Sequence, residues 1–376
     1  MFHVLDCRAI WVKEFASALA RISPTLGWVP SISSLGAFRK TEREVMWPDP
    51  LLPLRHFPLQ RGFSRAVIRT ASRSAAILDR RLSRQSGDAI CSALICSSPH
   101  YAGVAALWPG PVVYYVTDLF VAYGEKPERI LSLDRRMREA ADLVCPNSRR
   151  IADYLVSTAG FSNDKLFIVP NATREASVME SPALKPYSLP ADVSDLNRPV
   201  AGVIGNLAAN MDWKFLVTVI KGTPWLSWVF VGPTDMAVPD KEQDGAREYL
   251  MRHGARVRFI GYKPYGLLRE YARGVDVAVL PYQRREPTYS GSSTRFYEHL
   301  AACRPILATR AFAELLNKEP LLRLIGDAGE MIDSLEELRK ADFEDGHERL
   351  RWRESRAETW EARARLVSDR IAAVAF

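Results

Sequence analysis

One feature limits how this chain can fold more than any other: a repeated alternation. Short apolar, β-branched runs stand between amphipathic stretches, and the pattern occurs twice. In the first half the runs are 2–6 (FHVLD), 28–32 (WVPSI), 93–98 (ALICSS), 112–118 (VVYYVTD), 143–147 (LVCPN) and 166–171 (LFIVPN). In the second half they are 200–205 (VAGVIG), 227–232 (SWVFVG), 257–261 (VRFIG), 277–282 (VAVLPY) and 305–309 (PILAT). Strands that are apolar along their length and separated by helices predict parallel sheets covered on both faces.

A chain of 376 residues is long enough for two such domains. Residues 179–199 carry four prolines and no helical period, which reads as a linker. The expected organisation is an α/β protein with one Rossmann-like domain over 1–180 and a linker over 181–199. A second Rossmann-like domain follows over 200–345, and then a C-terminal helix over 346–376 that packs back on the first. Parallel sheets take ligands beyond the carboxyl ends of their strands, so the expected site is a cleft faced by both domains.

Charge and cysteines exclude several classes. The net charge of +7 is local: residues 55–84 hold eight arginines and one acid, Asp79, and the remaining chain is neutral. Arg61, Arg65, Arg69 and Arg73 recur every fourth residue and would form one stripe on a helix. Such a stripe is either a solvated helix face or a surface for anionic lipid or a phosphate-bearing substrate. Nucleic acid is disfavoured, because only Phe57 and Phe63 supply aromatic rings there and no recognition motif is present. No run of about 18 apolar residues would span a membrane. Charges come too early at the N-terminus for a signal peptide. The five cysteines are scattered without a C-x-x-C pair, which argues for a reducing compartment and against zinc or a disulfide frame. The expected location is cytoplasmic, with docking on the inner membrane face as an extension.

Nucleotide fingerprints are absent in their commonest forms. Residues 202–210 (GVIGNLAAN) lack G-x-G-x-x-G spacing and the acid that should follow, and no P-loop is present. A different arrangement stands at 291–309 (GSSTRFYEHLAACRPILAT). If Ser292 or Ser293 caps a helix there, free backbone N–H groups and the helix dipole face an anion. Arg295 in that first turn would fork a diphosphate, and Glu298, three residues on, would accept two ribose hydroxyls. A surface i,i+3 pair is the plainer alternative.

Taken in order, "GVIGN", "WVFVGP", "VRFIGYKPYGLLREYARGVDVAVLPY" and "SGSSTRFYEHLAACRPILAT" resemble the nucleotide-sugar-binding domain of GT-B glycosyltransferases. The likeness is to the bacterial surface-polysaccharide enzymes, of group 1 (GT4-like) or glucuronosyltransferase-like type. The stretch "VVYYVTDLFVAYG…ADLVCPNSRRIADYL" resembles elements of the family's first domain. The resemblance implies a phosphate-binding role for Arg295 and a ribose-binding role for Glu298. It implies a diphosphate loop at Gly205 and Asn206, a base contact near Tyr262, and a general base at Asp118. Asp118 also ends a buried strand, a setting that raises a carboxylate's pKa. His100, ending the preceding strand, is the other candidate base, and Tyr282 is a candidate border of the donor sugar. Glu125 and Asp6 are further candidates for the cleft. His299 is expected to turn away from the Arg295–Glu298 face.

Two departures from the family stand out. The acid expected eight residues before Glu298 is Ser290, and the first loop (DCRAIWVKEF) has no glycine. No cluster of acids and no D-x-D suggests a metal, so Arg295 and helix N-termini are expected to neutralise the leaving diphosphate without a cofactor. The resulting expectation is transfer from a UDP- or GDP-sugar to a lipid-linked or polysaccharide acceptor in surface glycan synthesis. A non-catalytic GT-B-like partner protein and a nucleotide-sugar epimerase are the alternatives.

Overall fold

The computed structural model describes residues 1–30, 52, 54–57, 92–182, 185–207, 209–235, 237–252 and 254–375. The arginine stripe Arg61, Arg65, Arg69 and Arg73 lies outside the described residues. The chain forms two compact units, one of residues 1–171 with 360–376 and one of residues 172–359.

The first unit is built on β1 (Phe2–Leu5), β2 (Thr25–Pro30), β3 (Leu54–Phe57), β4 (Ala93–Cys96), β5 (Val112–Val116) and β6 (Leu143–Pro146). The sheet order is β3-β2-β1-β4-β5-β6, with every neighbouring pair parallel. Strands β1, β4, β5 and β6 are buried at every residue, as their unbroken apolar sequence requires. Helices α1 (Ile10–Ala20), α2 (Ala102–Ala105), α3 (Pro127–Ala140) and α4 (Arg149–Ser157) connect them. Helix α1 buries Val12, Phe15, Ala16 and Leu19, one face at helical spacing.

The second unit repeats the plan with β7 (Val200–Ile204), β8 (Ser227–Val231), β9 (Val257–Phe259), β10 (Val277–Leu280), β11 (Ile306–Thr309) and β12 (Arg323–Ile325). Its order is β12-β11-β10-β7-β8-β9, again all parallel. The helices are α5 (Trp213–Gly222), α6 (Lys241–Met251), α7 (Leu268–Gly274), α8 (Thr294–Ala301), α9 (Ala328–Lys340) and α10 (Glu348–Ser355). The chain then returns to the first unit as α11 (Trp360–Ala375). There Trp360, Ala364, Val367 and Ile371 are buried, α11 packs on α1, and Arg21 pairs with Glu361.

Each sheet starts in its middle. The chain winds outward from β1 to β3, then restarts at β4 beside β1; likewise it restarts at β10 beside β7. Loops leaving the carboxyl ends of β1 and β4, and of β7 and β10, therefore run in opposite directions and open a crevice. The topology alone thus locates two places to look for chemistry.

The boundaries differ from the sequence reading. The division falls at 171/172 and 359/360, not at 180 and 346. Residues 185–199 are bound into the second unit and do not behave as a free linker. Arg198 donates to the Tyr187 and Gly274 carbonyls and pairs with Asp276 at 2.8 Å, while Tyr271 donates to Asp192. Helix α10 also stays with the second unit, where Trp352 Nε1 donates to the Met179 carbonyl at 2.8 Å. The run 166–171 is not a strand. Leu166 bridges Val144, and the N–H groups of Phe167 and Val169 reach β6 carbonyls, but Pro170 has no N–H to extend the ladder. The short strands β3 and β12 were not anticipated; Arg55, read as part of the basic segment, sits in β3.

Candidate functional site

The crevice of the second sheet forms around two glycines. Gly205 follows β7, and its N–H donates to the Val231 carbonyl at 2.7 Å. Its φ is +123°, and a Cβ there would lie 1.8 Å from Arg295 Nε. Only glycine lets the guanidinium come so close. Gly232, after β8, is pressed against Gly205 in turn: a Cβ would meet the Gly205 carbonyl oxygen at 1.6 Å. The Gly232 N–H donates to Gly261 at 2.9 Å, which brings the loop carrying Tyr262 alongside. Tyr262 itself is 55% exposed.

Arg295 lies in the first turn of α8, with its Cζ 5.4 Å from the ring centroid of Tyr282. Tyr282 is buried, edge-on to Phe312, and its backbone is tied to Thr309 by bonds of 3.1 and 2.7 Å. It is a platform for Arg295. The Nε of Arg295 is buried without a hydrogen-bond partner, and Arg295 forms no ion pair among the described residues. The Oδ1 of Asn206 is likewise buried and unpartnered. Leaving such a group unsatisfied costs about 1–3 kcal/mol. An acceptor arriving at Arg295 removes that cost.

Ser293 caps α8 by accepting the Phe296 N–H at 3.3 Å. Ser292 does not cap; its hydroxyl donates to Glu314 at 3.0 Å. Glu314 also accepts the Ser293 N–H at 3.0 Å and the Tyr297 hydroxyl. Burial pushes the Glu314 carboxyl up, opposed first by the bond from Tyr297 and then by those from Ser293 and Ser292. An internal acid thus occupies part of the helix end that the sequence assigned to an anion. The Thr294 and Arg295 N–H groups remain in the first turn, where no intrahelical carbonyl reaches them.

Glu298 is buried, and its Oε1 accepts hydroxyls from Tyr265 at 2.5 Å and Thr173 at 3.1 Å. Two protein hydroxyls therefore stand where a ribose diol was expected. His299 is not remote from Arg295, as the sequence reading had it. One helical turn separates them, and Arg295 adds to the burial that holds the His299 pKa at about 3. His299 is neutral, with both ring nitrogens unpartnered. Ser290, at the position of the missing acid, is buried and holds one: its hydroxyl donates to Glu286 Oε1 at 2.9 Å and its N–H to Oε2 at 3.2 Å.

The crevice of the first sheet has a different character. Asp6 follows β1 with φ +65°, a left-handed turn that a short polar side chain tolerates, so this loop turns tightly without glycine. Its carboxylate is forked by Arg8 at 2.6 and 2.7 Å and accepts Tyr101 at 2.9 Å. His100, past β4, is held through Nδ1 by Ser98 Oγ at 2.8 Å and through Nε2 by Glu125 at 3.1 Å. Asp118, past β5, accepts Tyr123 at 2.9 Å and Thr117 at 3.2 Å. Burial raises its pKa to about 6 against those two hydrogen bonds. One loop thus carries Tyr123 to Asp118 and Glu125 to His100.

Sequence reasoning missed Thr173, Tyr265, Glu314 and Tyr123. Thr173 is 125 positions from its partner Glu298, so no local spacing links them. Among the described residues, no group of three or more His, Cys, Asp or Glu side chains is placed to hold a metal, and no helix is long and apolar enough to cross a membrane.

No protein-family model matches the chain, and no curated protein matches its sequence. Solved structures do match over its whole length. Anabaena HepE, solved in complex with UDP and glucose, has a TM-score of 0.67 at 14% identity, with 99% of each chain covered. WaaG, a glycosyltransferase involved in lipopolysaccharide biosynthesis, has a TM-score of 0.62 at 11% identity, with 99% of each chain covered. A Listeria monocytogenes protein assigned as a UDP-N-acetylglucosamine 2-epimerase has a TM-score of 0.57 at 11% identity, with 99% of this chain and 96% of that one covered. The architecture is the GT-B fold, two Rossmann-like parallel-sheet units with the last helix returned to the first.

Proposed function

We propose that this chain is a glycosyltransferase that takes its sugar from a UDP- or GDP-linked donor. The observation that carries the reading is the Arg295 guanidinium, its buried Nε without a hydrogen-bond partner among the described residues, fitted against Gly205 at the point where β7 and β10 diverge. A diphosphate supplies the acceptor oxygens that Arg295 and the first-turn N–H groups lack. Glu298, one turn along the same helix, meets the ribose, and Tyr262 the base. The donor sugar then extends toward Tyr282 and the loop bearing Glu286. As the glycosidic bond breaks, charge grows on the diphosphate, and Arg295 stabilises it electrostatically without need of a metal. HepE was solved with UDP and glucose, which supports this class of donor.

The first unit supplies the base in this reading. Asp118, with a pKa near 6, is ionised at neutral pH and basic enough to take a hydroxyl proton. His100, backed by Glu125, is the second candidate. The acceptor is a lipid-linked or polysaccharide glycan, in keeping with the role of WaaG. Arg61, Arg65, Arg69 and Arg73 would dock the protein on an anionic membrane surface, at about 1 kcal/mol per basic residue.

A thermal-shift panel of UDP, GDP and their sugars tests the donor site. Ligand at 100 times its Kd adds about 2.7 kcal/mol of stability. The shift should vanish in Arg295→Ala and shrink in Glu298→Gln; a shift unchanged in both means the site is misplaced. Donor conversion without acceptor would instead favour an epimerase, the activity assigned to the Listeria structure. Neutralising the four arginines should release the protein from anionic vesicles, and unchanged binding would end the docking proposal.

A further inference from the structure

Asp118 has two hydroxyl donors, and they differ in kind. Thr117, on Oδ2, precedes Asp118 in the chain and is 5% exposed. Tyr123, on Oδ1, reaches back from beyond the short helical turn Phe120–Ala122 and is 51% exposed. Its N–H donates to the Phe120 carbonyl at 3.1 Å, and its own carbonyl accepts the Glu125 N–H at 2.7 Å. Gly124, inside that second turn, has φ +63°, and a Cβ there would meet open space among the described residues. One donor is therefore locked in the interior, and the other stands at the surface. The bond that Tyr123 makes is also the bond an acceptor has to make, because a hydroxyl must donate to the base before the base can take its proton. Burial first, and then the Asp118 charge beside it, raises the Tyr123 hydroxyl well above its ordinary value, so Tyr123 fills that place without giving up a proton.

We propose that Tyr123 is a specificity-determining residue: its hydroxyl occupies the acceptor's place on Asp118 and keeps water off the base until an acceptor hydroxyl displaces it. The proposal rests on the reading of Asp118 as the base. Were water to reach a free Asp118, the carboxylate would take one of its protons and its oxygen would bond to the anomeric carbon. The electron pair of the breaking C–O bond would leave with the nucleoside diphosphate, and the donor would be lost as free sugar. Water gains nothing by the exchange, since it offers Asp118 only the hydrogen bond that Tyr123 already makes. An acceptor glycan brings further contacts, and their binding energy drives the exchange. Tyr123 can be displaced and Thr117 cannot, because a surface hydroxyl recovers its hydrogen bonds from solvent, whereas a buried one is left unsatisfied.

Release of UDP from UDP-glucose and of GDP from GDP-glucose by the full chain, with no acceptor present and as a function of pH, provides the test. Tyr123→Phe keeps the ring and removes the hydroxyl. It should hydrolyse donor roughly tenfold faster than the wild type, the scale of one hydrogen bond to a charged group. The acid limb of its pH profile should lie at higher pH, because the Tyr123 bond opposes the burial that raises the Asp118 pKa. Adding Asp118→Asn should abolish the gain. Thr117→Val, which removes the buried donor, should move the acid limb the same way without the gain in hydrolysis. Equal gains from Thr117→Val and Tyr123→Phe would assign the effect to basicity alone and overturn the proposal. Tyr123→Phe, a conservative change at the surface, keeps the test decisive if Thr117→Val does not fold. A Tyr123→Phe variant no faster than the wild type overturns the proposal, and the base assignment stands if Asp118→Asn still lowers turnover. A gain that persists in the Tyr123→Phe, Asp118→Asn double variant overturns both. If no variant releases nucleoside diphosphate the proposal falls, and the thermal-shift panel shows whether the donor site falls with it.

Discussion

The two sheets share one topology and put opposite chemistry at the same place. At the β7/β10 crevice, glycines bring backbone against a guanidinium, and buried polar atoms of Arg295 and Asn206 lack partners. At the β1/β4 crevice, Asp6, His100 and Asp118 each hold partners of their own: Arg8 and Tyr101, Ser98 and Glu125, Tyr123 and Thr117. At the first, the buried Arg295 Nε–H lacks an acceptor, which suits an anion, while the Asn206 oxygen lacks a donor. At the second, the titratable groups are already oriented by hydrogen bonds, which suits proton transfer. The difference teaches that the winding of the sheet fixes where a site can be, while the side chains at the strand ends decide what it does.

Gly205→Ala should break the anion seat most completely. The added Cβ falls 1.8 Å from Arg295 Nε, so the guanidinium must leave its place over Tyr282, and the backbone at φ +123° is strained as well. Nucleotide affinity should fall by roughly 100-fold, as expected for losing a charge-assisted contact of about 3 kcal/mol. Arg295→Ala should cost a similar factor alone, and the double variant should cost scarcely more than either, since the clash needs both side chains. Calorimetry on the three variants checks this, and strictly additive losses would disconnect the two residues.

At the other crevice the expected loss is in rate, not affinity. Asp118→Asn should lower kcat by roughly 100- to 10,000-fold, the span of general-base catalysis, with donor affinity unchanged. In the wild type, activity should fall as pH drops through about 6, where the Asp118 carboxylate takes up its proton. Glu125→Gln leaves His100 without its carboxylate and should have a smaller effect, below about tenfold, if Asp118 is the base. A larger effect from Glu125 than from Asp118 would transfer the base role to His100.

Much of this contrast was legible in the chain before the fold was known. The apolar runs located ten of the twelve strands among the described residues, because a strand buried on both faces must be apolar throughout. The one-turn spacing of Arg295 and Glu298 on one helix was legible for the same reason: helical period is local. What could not be read were partners from distant segments. Thr173 on Glu298, Glu314 at the α8 N-terminus and Tyr123 on Asp118 depend on tertiary packing, and none leaves a periodic trace. The spacing shows Ser290 where the acid is expected, and it does not show that Ser290 donates to Glu286, four residues earlier. The sequence likewise treated 181–199 as linker from its prolines, where Arg198 in fact fastens the segment to the second unit.

The smallest expected effect separates the carboxylate proposed as the base from one that is only buried. Asp134 accepts Tyr114 at 2.7 Å and Tyr154 at 2.9 Å, and burial raises its pKa to about 6, as it does for Asp118. Asp134 is 2% exposed and lies within α3, away from any strand end. In the unfolded chain the same group titrates near the ordinary aspartate value of about 3.9. Between those two pKa values the folded state binds more protons than the unfolded state, so stability decreases as pH rises through that window. The stabilisation is full below pH ~4 and lost above pH ~6, with an upper bound of about 3 kcal/mol at about 1.4 kcal/mol per unit. Asp134→Asn removes the titrating group and should therefore cost more stability at pH 4 than at pH 7, while the pH dependence of kcat stays as in the wild type. Chemical unfolding of both proteins at the two pH values measures the difference. Equal costs at both would show that the Asp134 carboxyl is not shifted. A changed kcat profile would make Asp134 part of the proton network and erase the distinction between the edge of the first sheet and its interior.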